Sequence, residues 1–239
     1  MTVTGISLAG YFLPSEEPQS MRPPLIGELA QDLSSSSAER RSAAIALIAE
    51  RLPLDHPDRN AGIAALVNHL SARLPDDGST VAEASDTLTA LGLAQVPSDQ
   101  IDLRYSYLDG IDVSGLEFAD GIPLYGASLK DATLVNVLIG SGNWQDMFME
   151  RSWLGNCRFR RVLFTGTDLS YVNAPGTEFR ECQFSRAVLT GADFSTSVFI
   201  DCDFKGEDFV VESARGLPAV WDPDDPPQWP AGFLPNILT

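Results

Sequence analysis

From Leu124 to Phe209 the chain places an apolar side chain at every fifth residue, without a change of phase. A period of five fits neither the roughly 3.6-residue turn of an α-helix nor the alternation of a β-strand. The pattern therefore predicts a repeat architecture, in which short units bury their apolar side chains by stacking on one another. The eighteen repeat centres are Leu124, Leu129, Leu134, Ile139, Trp144, Met149, Leu154, Phe159, Phe164, Leu169, Ala174, Phe179, Phe184, Leu189, Phe194, Phe199, Phe204 and Phe209.

The residue two before each centre is small or compact in almost every unit, as an interior corner requires, and the other three positions are mainly polar. Upstream, Leu103, Leu108, Val113 and Phe118 keep the same spacing but lie one residue out of phase. The shift predicts a one-residue insertion near 121–123.

The units resemble those of the pentapeptide repeat family, whose pattern is roughly Ala-Asp/Asn-Leu/Phe-X-X. The resemblance covers about 101–211. It implies a mainly β fold, a right-handed quadrilateral β-solenoid with four units per turn and the centres stacked inside. The closest units are Ala127-Ser128-Leu129, Ala132-Thr133-Leu134 and Ala192-Asp193-Phe194, with Cys202-Asp203-Phe204 as a near variant.

Residues 24–95 predict a small helical domain or cap, preceded by an irregular arm over 1–23. Ser36 with Glu39 and Thr80 with Glu83 both fit a capping box, in which a hydroxyl and a carboxylate bond the free N–H groups of a helix start. Gly92 suits the left-handed position after a helix. One predicted stripe consists of Ile63, Leu66, Val67, Leu70 and Leu74, and Leu25–Leu33 predicts a further short helix. We expect these helices to cover the first turn of the solenoid, since an open end exposes apolar side chains.

The segment 212–239 contains six prolines, which exclude a helix or a central strand. We expect it to lie on the last turn as a cap anchored by Trp221, Trp229 and Phe233. An alternative is that it serves as a proline-rich ligand for a partner's aromatic groove. The order of parts, including a Trp-Pro-X-Gly-Phe-like segment at 229–233, resembles a bacterial group that joins a small helical segment to a pentapeptide array.

Two local features leave alternatives open. Trp144 stands where Leu or Phe is usual, so either Gly142 makes room for the indole or 139–149 loops out of the solenoid. Cys157, Cys182 and Cys202 occupy the small interior position and are interpreted as apolar fillers. Cys182 and Cys202 are one turn apart, close enough for a disulfide, but an odd cysteine count without an export signal favours free thiols.

The net charge of −17 indicates repulsion from nucleic acid and anionic membranes. The best-understood pentapeptide repeat proteins resemble B-DNA in size and charge and bind bacterial type II topoisomerases. The alternative function is therefore a DNA-mimicking modulator of gyrase that protects against gyrase-directed antibiotics. Against it, Arg160 and Arg180 stack and interrupt an anionic face. Twenty residues per turn also predict surface ion pairs of Arg158 with Glu178 and of Arg161 with Glu181. Arg158, Arg160 and Arg180 are the candidate partner surface.

Catalytic chemistry is sparse. His56 and His69 lie in the helical part, away from clusters of Cys or Asp, and no phosphate loop, nucleotide fingerprint or nucleophile elbow is present. We therefore expect no enzyme activity, no catalytic or metal site and no cofactor. No apolar stretch approaches the length of a membrane span. The sequence predicts a cytoplasmic protein-binding or scaffold module with an unknown partner, present as a monomer or weak dimer.

Overall fold

The computed structural model describes residues 25–51, 56–74, 80–92, 96–118, 120–205, 214 and 220–221. The expected N-terminal arm, the centre at Phe209 and the tail anchors Trp229 and Phe233 lie outside these residues, as does the side chain of Trp221. The helices are α1 (Ile26–Asp32), α2 (Ala38–Ala49), α3 (Arg59–Ser71) and α4 (Val81–Leu91), followed by a 3-10 turn at Ser98–Gln100. No helix in the described ranges is long and apolar enough to cross a membrane.

Short parallel strands follow. They are β1 (Glu117–Phe118), β2 (Thr133–Val135), β3 (Leu138–Ile139), β4 (Gly142–Asn143), β5 (Trp153–Gly155), β6 (Arg158–Arg160), β7 (Val162–Leu163), β8 (Glu178–Arg180), β9 (Val198–Ile200) and β10 (Val220–Trp221). The largest sheet has the order β1-β3-β6-β8-β9-β10, and β2-β5 and β4-β7 form two further sheets. This is the predicted β-solenoid with N-terminal helices.

The register gives the length of a turn directly. Phe159 pairs with Phe179 and Phe179 with Phe199, so one turn takes twenty residues, or four five-residue units. In the first turn the offset is twenty-one, because Phe118 pairs with Ile139. The extra residue lies between Gly121, which bonds Ser141, and Leu124, which bonds Asn143. The structure thus places it in the stretch that the phase shift indicated.

The repeat centres point inward. From Leu124 to Phe204 every centre is at most 3% exposed, and this includes Trp144 at 1%. The indole Nε1 of Trp144 lies 2.9 Å from where a Cβ on Gly142 would stand, so the glycine provides the space for the larger ring. Phe164, Phe184 and Phe204 stack face to face with centroid distances of 5.0 and 4.6 Å. The interior is therefore one continuous apolar column.

Most corners of the solenoid pass through a left-handed residue, two positions after the centre. In the described ranges seven of these corner residues are glycines, and eleven are non-glycine residues with positive φ, including Tyr105, Arg151 and Tyr171. A further glycine with positive φ, Gly92, ends α4 as predicted. A large corner side chain lies over a glycine on the next turn: the Tyr171 ring is 2.6 Å from the Cβ position of Gly191.

The cysteines are more than fillers. At several corners the carbonyl of the centre residue accepts a hydrogen bond from a side chain of the next turn. Cys157 Sγ donates to Leu134 O at 3.1 Å, Cys182 to Phe159 O at 3.5 Å and Cys202 to Phe179 O at 3.3 Å. Thr167, Thr177 and Ser197 donate in the same way across twenty-three residues. A thiol or hydroxyl at this position therefore satisfies a buried carbonyl, and all three cysteines are free.

The helices pack on the first turn. Leu88 of α4 lines a small interior void together with Leu103, Leu108 and other side chains of the first turns. Ser71 Oγ donates to Asp102 O, and the amide of Asp112 donates to Ser85 Oγ, both at 3.1 Å. The Arg73 guanidinium donates to Tyr107 O at 2.9 Å.

Three details of the predicted helices differ. The cap of α2 is Ser37, whose hydroxyl accepts from Arg40 N, and not Ser36. Leu74 is 65% exposed, because α3 ends at Ser71 and the apolar stripe ends with it. Thr80 and Glu83 do form the capping box at α4, but Glu83 also lies buried against Arg41 of α2, with both contacts at 3.1 Å.

Candidate interaction surface

The outer wall of the solenoid has four faces, which differ in charge. In the turns that span 122–181, the first face consists of 122–126, 142–146 and 162–166. The second face consists of 127–131, 147–151 and 167–171, and the third and fourth faces follow in chain order. The third face, 132–136, 152–156 and 172–176, contains no charged residue. The fourth face, 137–141, 157–161 and 177–181, contains four arginines and two glutamates. An uncharged face and an arginine-rich face thus lie side by side on the solenoid.

The sequence-predicted surface lies on the fourth face. Arg158 and Arg160 project outward from β6 on either side of the buried Phe159, and Arg180 pairs with Arg160 in the ladder, as the stacking predicts. We call Arg158, Arg160, Arg161 and Arg180 the arginine face. Even with its two glutamates, the fourth face has a net positive charge, in a chain whose total net charge is −17.

The ion pairs on this face differ from the predicted ones. Arg160 donates to Glu181 at 3.1 and 3.2 Å, and Arg180 donates to Glu178 at 3.2 Å. The predicted pairs of Arg158 with Glu178 and of Arg161 with Glu181 are wrong. Long side chains lean along the strand, so Arg160 reaches the diagonal neighbour Glu181 on the next turn, and Arg180 reaches Glu178 on its own strand. Arg158 and Arg161 have no carboxylate partner among the described residues.

A second surface was not predicted from the sequence. We call Phe148, Arg151, Trp153 and Tyr171 the aromatic corner; the three aromatic side chains are 46%, 43% and 62% exposed. Arg151 and Tyr171 occupy the same left-handed corner on successive turns, about 4.8 Å apart in the strand-stacking direction. Phe148 lies on the second face before this corner and Trp153 on the third face after it. Arg151 and Tyr171 therefore lie on one edge of the rod, with Phe148 and Trp153 exposed on the two faces beside it.

The aromatic corner is held in place by local contacts. Arg151 forms a two-pronged ion pair with Asp131 at 2.6 and 2.7 Å, which lowers the pKa of the Asp131 carboxyl. Lys130 Nζ lies 5.0 Å from the Phe148 ring centroid and pairs with Glu150 at 2.7 Å. The indole of Trp153 folds onto Gly155, whose Cβ position is 2.7 Å from Nε1. These rings are fixed by the fold and still open to solvent.

The signal for this corner was present in the sequence. Phe148 and Trp153 stand immediately before the centres Met149 and Leu154, at a position where most units carry a polar residue. A bulky apolar residue in an outward phase is exposed by the geometry of the repeat.

The remaining candidates offer little chemistry. Nδ1 of His56 accepts from Asp58 N at 3.1 Å in the turn before α3. His69 lines a groove of about 470 Å³ between the helices with Asn68 and Arg41, and Arg41 is bonded to Glu83. Within the described ranges no three His, Cys, Asp or Glu residues are grouped to hold a metal. Burial raises the pKa of the Cys157 thiol to about 11, and it also raises the pKa of the Cys182 thiol well above its ordinary value.

The architecture defines the class of protein: a solenoid of stacked five-residue units with an apolar column and an elaborated outer wall. A family model for pentapeptide repeats matches residues 177–209 in eight copies. No curated protein matches it.

Solved structures with a similar fold are distant in sequence. HetL of Nostoc sp. strain PCC 7120, a pentapeptide repeat protein involved in heterocyst differentiation regulation, is 14% identical over 44% of this chain, with a TM-score of 0.28. The match spans 61% of HetL. QnrB1, a plasmid-mediated fluoroquinolone resistance protein, is 16% identical over 52% of this chain and 78% of its own (TM-score 0.21). Rfr23 of Cyanothece 51142 is 17% identical over 56% and 71% (TM-score 0.19).

Proposed function

We propose that this chain is a non-enzymatic protein-binding module, and that the aromatic corner is the centre of its binding surface. The observation that carries the proposal is the exposure of Phe148, Trp153 and Tyr171 on and beside one edge of the rod, where Arg151 occupies the same corner as Tyr171. Trp, Tyr and Arg are the residues most enriched at the positions that dominate binding energy in protein interfaces. The aromatic corner presents all three of these residue types within two turns, as Trp153, Tyr171 and Arg151.

The adjoining third face supports the same conclusion. Interface centres are depleted in charged residues, and this face has none through three successive turns. It continues directly from Trp153, so a partner seated on the corner would meet flat, uncharged wall on one side. On the other side the pairs of Lys130 with Glu150 and Arg151 with Asp131 would form a polar rim.

The rigidity of the corner favours binding as well. The side chains project from a wall whose backbone is hydrogen-bonded to the turns above and below, so little conformational freedom remains to be lost when a partner binds. Because the rings are already placed, we expect the partner to recognise the corner with little movement of the solenoid.

The test compares a double variant of the corner with a single control variant in affinity capture from the native host, with quantitative mass spectrometry. Trp153→Ala/Tyr171→Ala should lose the partner that wild type captures. Tyr105→Ala is the matched control, because Tyr105 is also a left-handed corner tyrosine over a glycine, Gly126, but lies on another face. A partner retained by the corner variant and lost with Tyr105→Ala would contradict the proposal.

The alternative of a DNA-mimicking modulator of gyrase requires an anionic wall. The arginine face provides the reverse on one side of the rod, and this argues against the mimic. A supercoiling assay decides the question: we expect no inhibition of gyrase at low micromolar protein. Inhibition would promote the alternative over the protein-binding module with another partner.

A further inference from the structure

The arginine face is a concentration of positive charge that neither the core nor the aromatic corner requires. Four of the nine basic residues in 101–211 lie on it, within two neighbouring turns. All four side chains project from the wall, and none of their guanidinium groups contributes to the apolar column. The ion pairs on this face use only some of the guanidinium N–H groups. Arg180, for example, donates to Glu178 through Nε.

We propose that the arginine face binds an extended acidic segment of a partner protein, as a site separate from the aromatic corner. A guanidinium group matches the geometry of a carboxylate and donates two parallel hydrogen bonds to it. Arg158 and Arg161 have no carboxylate partner among the described residues, and they lie at the two ends of the row that runs along β6. The charge of the face thus complements an anionic ligand, although the whole chain is acidic.

The spacing of the row determines the kind of ligand. Arg158 and Arg160 are two residues apart on one strand and both point outward, so their Cα atoms are separated by about 6.6 Å. An extended peptide with a carboxylate at every second residue repeats at the same distance on one of its sides. Such a segment, lying along β6, presents a carboxylate to Arg158 and the next one to Arg160 or Arg161.

The charge distribution favours a peptide over a nucleic acid. A duplex is a long polyanion and would extend beyond the face, where the remainder of the acidic chain repels it. Glu117 and Asp120 lie at one end of the fourth face and Asp201 at the other, so the positive region is short. Beyond about 8 Å the repulsion is screened at physiological salt, and a short segment is therefore governed by the local charge.

The experiment measures fluorescence anisotropy of two labelled peptides of equal charge. In one, glutamate alternates with threonine; in the other, adjacent pairs of glutamates alternate with pairs of threonines. Only the first presents all its carboxylates on one side when extended. We expect wild type to bind the alternating peptide about fivefold or more tightly than the paired peptide, with binding that weakens as salt rises.

Two variants test the site. Arg158→Gln/Arg161→Gln should reduce binding of the alternating peptide by about tenfold and remove the preference between peptides. Arg104→Gln/Arg186→Gln is the control, because these exposed arginines lie outside the fourth face and the aromatic corner and should leave both properties unchanged. Trp153→Ala/Tyr171→Ala should also bind the peptide normally. A result that contradicts the proposed role of the aromatic corner would therefore leave this test valid.

Three results would overturn the inference. The first is equal affinity of the two peptides for wild type, which would show that spacing is not read. The second is equal loss in the arginine-face and control variants. The third is displacement of the alternating peptide by a DNA oligonucleotide at an equal concentration of charge, which would indicate a phosphate site instead.

Discussion

At the scale of single residues, the interior position of each side chain decides its contribution to stability. Phe184 is fully buried and stacks between Phe164 and Phe204. Phe184→Ala should lower the free energy of unfolding by about 3–5 kcal/mol, through the lost transfer of the ring and the remaining cavity. Denaturant titration measures the change. Phe148→Ala, which removes an exposed ring from the outer wall, should cost far less; equal costs would contradict the inward assignment of the centres.

The buried thiol of Cys157 provides a test with pH. Its pKa is raised to about 11 by burial, whereas the unfolded thiol ionises near its ordinary value of 9.0. The stability that this thiol contributes is complete below the unfolded pKa, and it falls as pH rises towards the folded pKa, because only the unfolded state then releases the proton. We expect a decline of at most about 3 kcal/mol from this residue.

The variant Cys157→Ser separates the two roles of this residue. The hydroxyl keeps a donor for Leu134 O, as Thr177 and Ser197 do at equivalent corners, so stability at neutral pH should change little. Thermal unfolding followed between pH 9 and pH 11 should show a shallower decline than in wild type. An unchanged slope would mean that the Cys157 thiol does not titrate in this way.

At the scale of elements, the corners of the solenoid impose a restriction that the centres do not. Gly191 and Gly115 both have positive φ, of 68° and 75°, so alanine is strained at either position. Only Gly191 has a neighbour within contact distance, the Tyr171 ring at 2.6 Å from the Cβ position. Gly191→Ala should therefore lower the melting temperature more than Gly115→Ala, and Tyr171→Ala should remove most of the difference. If the two glycine variants melt alike, the packing of Tyr171 over Gly191 is wrong.

In the helical segment the critical contact is the pair of Arg41 with Glu83, which joins α2 to α4. Both side chains are buried, at 5% and 2% exposure, and Glu83 also completes the capping box with Thr80. Glu83→Gln should cost about 3–5 kcal/mol, because it removes the carboxylate charge that faces the buried Arg41 guanidinium. Thr80→Ala removes only the cap and should cost about 1 kcal/mol. Chemical denaturation of both variants tests this; similar small losses would show that the pair contributes no more than a cap.

These elements show what the sequence alone determines. The five-residue period specified the fold and the inward side chains, because one buried centre per unit is enough to fix the register of every turn. The phase shift after Phe118 was sufficient to locate the extra residue at 121–123. The pairings of long surface side chains could not be predicted, since Arg160 reaches Glu181 by the direction of its rotamer and not by its column. The Arg41–Glu83 contact spans forty-two residues and has no local signal.

At the scale of the whole molecule, the solenoid separates structure from recognition. The column of centres holds the turns together, and the outward positions are free to vary in chemistry from face to face. The faces of this chain differ in chemistry. In the turns that span 122–181 the third face is uncharged, the fourth is rich in arginine, and three exposed aromatic rings lie on or beside the corner between the second and third. The candidate surface was only partly predictable, because the arginines form a visible cluster in sequence whereas the aromatic corner joins residues from two turns.

The central claim is that the aromatic corner contacts a protein partner. Hydroxyl-radical footprinting tests it directly, by measuring oxidation of exposed side chains in the free chain and in the captured complex. The account predicts that Phe148, Trp153 and Tyr171 become protected in the complex, while Tyr105, which is 70% exposed on another face, remains as reactive as in the free protein. Full reactivity at Trp153 and Tyr171 in the complex, or protection confined to Tyr105, would contradict it.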